Sequence, residues 1–126
     1  MRVLTIGVDP ELVDFTAIPR LDAALVRTTG AAVRAELARE GHEVTRCVID
    51  LGETADQVLT RALTGGEFDC VVIGAGVRVV PEHLPLFERV INLVHRLAPG
   101  AAICFNTEPG DTVAAVRRGL ASRASW

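Results

Sequence analysis

Four short apolar runs alternate along the chain with four helix-patterned segments, and this alternation does most to narrow the folds open to it. The first run, residues 3–8 (VLTIGV), and the third, residues 70–74 (CVVIG), are almost uninterruptedly apolar, as strands covered on both faces are. The second, residues 43–49, carries Thr45 and Arg46 and suits a sheet edge, and the fourth spans residues 101–105. Asp22 is placed to cap a first helix whose Val26, Gly30, Val33 and Leu37 share one face, with Gly41 ending it. Gly30 weakens that helix, and close packing against the sheet is the expected compensation. Thr54 and Gln57 form a capping-box pattern for a second helix through Leu63, stopped by Gly65 and Gly66. A long apolar helix over residues 82–98 closes at Pro99 and Gly100, and Asp111 caps a last helix through Ala121.

Strands joined by short helical crossovers form a parallel sheet, because each crossover is right-handed. The two most apolar strands belong at its centre. The predicted fold is a three-layer α/β/α sandwich with a four-stranded parallel sheet in the flavodoxin-like order 2-1-3-4. A Rossmann-type order would leave the first strand at an edge. Residues 1–121 read as one domain and residues 122–126 as a C-terminal tail.

Net charge is −3 and no basic stripe is visible, which argues against nucleic acid and anionic membrane surfaces as partners. No apolar run reaches spanning length, and the N-terminal MRVLTIGVDPEL runs straight into a strand, so a cytoplasmic protein is expected. Cys47, Cys70 and Cys104 each lie inside a predicted strand without CxxC spacing, which argues against disulfides and structural zinc. All 13 basic residues are arginine, tyrosine is absent, and the serines are Ser122 and Ser125 in the tail. Schiff-base lysine, Walker lysine, tyrosine-acid and serine-nucleophile chemistry are thereby removed from the folded body.

In open parallel sheets ligands bind beyond the strand carboxyl ends, where the winding reverses. With order 2-1-3-4 that point lies between the first and third strands. Asp9 arrives there from the first strand, Gly74, Gly76 and Arg78 from the third, and Asn106 and Thr107 from the fourth. Glu53 follows the second strand, and His83 stands at the mouth of the helix over 82–98. Arg78 can clamp an anion or pair with a loop acid. The GAGVR segment is not a dinucleotide loop, since its third glycine is missing and Pro81 intrudes. The long connection over residues 9–21 reads either as a lid with Phe15 inward or as a packed surface loop.

His42 reads as surface and His95 as interfacial, which leaves His83 as the best-placed general acid/base, beside Asp9 and Glu53. No spacing resembles a metal site. The expected function is small-molecule binding at the strand ends. Gly74, Gly76, Arg78, Asn106 and Thr107 would hold an anionic or carbonyl-bearing ligand, with or without cofactor-independent lyase, isomerase or cyclase chemistry by Asp9, Glu53 and His83. The alternative is a non-catalytic ligand-binding or dimerising accessory protein. The helix from Glu82 to Ala98 is apolar over more than one face, which points to a homo-oligomer through it.

The blocks IDLGET (49–54), CVVIGAGVR (70–78), PEHLPLFERVINLVHRLAPGA (81–101) and ICFNTEPGDT (103–112) resemble a group of small, uncharacterised bacterial and fungal flavodoxin-like single-domain proteins. The resemblance implies the fold and brings no activity with it. Better-known relatives fail on residues. A receiver domain needs a phosphoacceptor aspartate where Gly74 stands and a lysine that is absent. Flavodoxins need a Thr/Ser-rich loop, and low-molecular-weight phosphatases a cysteine, where VDPELVD stands.

Overall fold

A computed structural model describes all 126 residues apart from the side chain of Ala17. Strands β1 (Arg2–Val8), β2 (Glu43–Ile49), β3 (Cys70–Ile73) and β4 (Ala102–Phe105) form one parallel sheet in the order β2-β1-β3-β4. Helices α1 (Ala23–Arg39) and α5 (Thr112–Arg123) cover one face. Helices α2 (Ala55–Thr64) and α4 (Leu84–Leu97) cover the other, and a single turn, α3 (Ala75–Arg78), follows β3. This is the three-layer flavodoxin-like sandwich that the apolar gradient among the strands predicts.

Side-chain alternation along each strand divides the core in two. Leu4, Ile6 and Val8 of β1 join Val71 and Ile73 of β3 beneath Leu59, Leu63, Leu86, Val90 and Val94. Val3, Cys70, Val72, Ala102 and Cys104 face the other way, against Val33, Leu37, Val113 and Val116. Edge strand β2 is the least covered, as its polar residues require. The Asp22 carboxylate accepts from the Leu25 N–H at 2.8 Å, a cap that stabilises α1 by about 1 kcal/mol. Gly41 leaves that helix at φ 89°, where a side chain would be strained.

Several local expectations are corrected. β3 ends at Ile73: the Gly74 N–H makes a last hydrogen bond to the Ile6 carbonyl of β1 at 2.8 Å, and the chain then enters α3. Thr54 precedes α2 without capping it, since its hydroxyl donates to Asp50 at 2.7 Å instead. The long helix starts at Leu84, after a 3-10 turn over Pro81–His83, and the last helix runs on to Arg123. Cys70 and Cys104, 34 residues apart, lie side by side with their sulfurs 3.1 Å apart as free thiols.

Much of the apolar surface of α4 packs within the chain. Leu86, Val90 and Val94 are buried, and Phe87, Ile91, Leu93 and Leu97 pack against the same core. Leu84 is the large apolar residue of α4 that stands exposed. Among the described residues, no helix is long and apolar enough to cross a membrane.

Candidate functional site

Two side-chain-less positions far apart in the sequence leave room for a cavity between sheet and helix. On central strand β1, Leu4, Ile6 and Val8 are buried, whereas Thr5 and Gly7 on the opposite face are only half-buried. Their register partners on β2 are Arg46 and Val48. Above this patch α1 presents Val26, Gly30, Val33 and Arg34. A Cβ at Gly7 would meet no atom within 4 Å, and one at Gly30 would meet only the end of Arg34, at 3.3 Å. Gly30 therefore does not pack closely on the sheet as its place in the helix pattern suggests. Helix and sheet stand apart around a cavity of about 150 Å³.

The 9–21 connection roofs this cavity. It is built from two 3-10 turns, over Pro10–Leu12 and Phe15–Ala17. Asp9 caps the first by accepting from the Glu11 N–H at 3.0 Å. Asp14 caps the second, and hydrogen bonds from the Thr16 hydroxyl and N–H hold the Asp14 pKa below the usual carboxylate range. Val13, Phe15, Ile18 and Leu21 line the underside. Two exposed ion pairs fasten the roof: Arg27 to Glu11 at 2.7 Å, and Arg20 to Glu108 at 3.2 Å.

Of the residues singled out from the sequence, Gly74, Gly76 and Asn106 line the cavity. Asp9 lies at its rim, 4.0 Å from Arg27. Asn106 is buried, and its side-chain amide donates to the Thr112 hydroxyl at 3.0 Å while its Oδ1 accepts from Arg78 at 3.2 Å. Arg78 also donates to the backbone carbonyls of Ile73, at 3.0 Å, and Asn106. Its guanidinium lies 5.2 Å from the Phe105 ring centre. Arg78 thus ties the ends of β3 and β4 together from the α4 side of the sheet.

Thr107 donates both its N–H and its hydroxyl to Asp111. Partial burial disfavours the Asp111 carboxylate, yet those donors and the Glu108 N–H outweigh it and keep its pKa low. His83 is buried, with Nδ1 2.8 Å from the Gly76 carbonyl oxygen, and Glu53 is exposed beyond β2. Arg78, Thr107, His83 and Glu53 all stand outside the cavity lining.

Thr5, Gly7, Arg34 and Arg46 are the lining residues that strand-end reasoning overlooks. The signal for them was Gly7, a glycine inside an otherwise apolar central strand, where it packs nothing. No protein-family model, curated protein or solved structure matches the chain. What the fold and cavity define is a class: a four-stranded flavodoxin-like domain with an open cleft beneath its first strand-to-helix connection.

Proposed function

We propose that this protein is a small-molecule-binding domain that holds its ligand between β1, β2 and α1, beneath the 9–21 roof. The observation that carries the reading is the uncovered patch at Thr5 and Gly7 in the middle of a central strand. A domain of this size ordinarily fills such a space with a side chain, because unfilled apolar volume is destabilising. Here two glycines keep it clear and a tied-down loop shelters it. A cavity near 150 Å³ suits an apolar body about as large as a benzene ring.

Binding without catalysis is the better-supported form of this reading. Asp9 is engaged in its turn and with Arg27, Glu53 faces solvent, and the Nδ1 of His83 is held by a carbonyl. The domain would then work as a cytoplasmic, cofactor-independent binding module of the small flavodoxin-like group its sequence blocks resemble. Self-association through α4 has less support, because that helix buries its apolar face internally.

The test is a ligand-observed NMR screen of small aromatic and branched aliphatic compounds against the wild type and Gly7→Val. Hits that bind the parent and are lost when valine fills the space support the reading. Hits that bind both proteins alike, or no hits at all, refute it.

A further inference from the structure

The cavity has one polar end, and its composition specifies a ligand head group. Thr5 and Arg46 are register partners on adjacent strands and point to the same face, and Arg34 reaches toward that face from α1. Of the three arginines lining the cavity, Arg27 is matched by Glu11. Arg34 and Arg46 differ: among the described residues neither has a carboxylate within salt-bridge distance, and neither donates a hydrogen bond. Arg34 lies over Gly30, with Nη1 3.3 Å from where a Cβ would stand, so the glycine lets the guanidinium rest against the helix. Burial and the nearby positive charge of Arg46 both lower the Arg34 pKa, as expected for like charges held together without a counter-ion. The opposite end is apolar, formed by Val13, Phe15, Ile18, Val26 and Val48.

Resting on the binding role proposed above, we infer that Arg34, Arg46 and the Thr5 hydroxyl form an anion subsite for the carboxylate of a small hydrophobic acid whose aryl or branched alkyl body fills the apolar end. Guanidinium forks match a planar carboxylate bidentately, and a hydroxyl donor beside them completes the set. One negative charge placed there relieves the repulsion between the two arginines. The other polar residues of the lining, Arg27, Asn106 and Thr112, are already paired within the protein, so none calls for a second charge on the ligand.

The experiment is calorimetric titration at low salt with phenylacetate and 4-methylpentanoate, their neutral counterparts 2-phenylethanol and 4-methylpentan-1-ol, and phenyl phosphate. The expected result is that the acids bind about tenfold or more tightly than the alcohols. Arg34→Gln and Arg46→Gln should each remove about a factor of ten for the acids and leave the alcohols unchanged. Acids and alcohols of equal affinity, both insensitive to the two substitutions, would overturn the subsite while leaving the cavity reading intact. Tighter binding of phenyl phosphate would overturn the carboxylate assignment. If none of the five compounds binds, the cavity reading fails and the subsite with it. Circular dichroism of each variant confirms that a loss is not unfolding.

Discussion

Replacing Gly7 by alanine tests the cavity without needing a ligand. Gly7 sits in ordinary extended backbone, since the glycines at positive φ are Gly41 and Gly52. Alanine can therefore adopt its conformation unstrained, and the added Cβ meets nothing within 4 Å. Removing a glycine from the unfolded ensemble stabilises by about 0.4–1 kcal/mol. Full burial of a methyl would add about 0.8 kcal/mol, and the half-buried position allows roughly half of that. A net gain near 1 kcal/mol raises the melting temperature of a chain this size by about 3–5 °C. Differential scanning calorimetry of parent and variant reads this directly, and an unchanged urea m-value excludes an effect on the unfolded state's compactness. Gly74→Ala is the internal control, because there the same methyl would stand 2.9 Å from the Ile6 carbonyl oxygen. That backbone atom cannot give way easily, and a loss of about 1–3 kcal/mol is expected. A destabilised Gly7→Ala would show that the space beside β1 is filled and would refute the reasoning.

The other expectations concern the remaining glycines and the thiols. Gly30→Ala should raise stability by up to about 1 kcal/mol through helix propensity while displacing Arg34, so melting temperature rises as carboxylate affinity falls. Gly119→Ala should destabilise by about 1–3 kcal/mol, because its Cβ would overlap the Cys104 sulfur; adding Cys104→Ala should recover most of the loss in a double-mutant cycle. Burial pushes the Cys47 thiol up to about 11 from its ordinary 9.0, so the unfolded chain loses this proton first as pH rises. Stability contributed by that proton is complete below pH 9 and is lost as pH climbs toward 11, and Cys47→Ala should flatten the slope in urea melts over that window. Ellman titration at pH 8 should find the three thiols slow to react until the protein unfolds.

The fold was legible because it rests on signals that act over short stretches. Apolar continuity in β1 and β3 against the polar residues of β2 orders the sheet, and Asp22 and Gly41 bound α1 by local backbone chemistry. Errors arose where a distant atom decides a local conformation. Thr54 fails to cap α2 because Asp50 takes its hydroxyl, and Gly30 stands clear of the sheet although its place in the helix pattern suggests close packing. The apolar residues of α4 pack, fully or in part, against the same core cluster as those of α2.

The site was less legible for a related reason. Polar residues at strand ends can serve a ligand or one another, and one chain read alone does not tell which partners they find. Asn106, Thr107 and Arg78 find Thr112, Asp111 and the carbonyls of Ile73 and Asn106, so much of their hydrogen-bonding capacity closes the top of the sheet. What remains open is set by absent side chains. Gly7 and Gly30 lie 23 positions apart and become opposed only once α1 docks on the sheet. The same docking brings Arg34 beside Arg46, which in sequence are two unremarkable surface arginines. A ligand at this point would bridge α1 to the sheet edge, so its binding should slow amide exchange in both α1 and β2. A ligand held instead by Arg78 and Thr107 would protect the β3 and β4 ends and leave β2 unchanged, and hydrogen exchange with phenylacetate present separates the two.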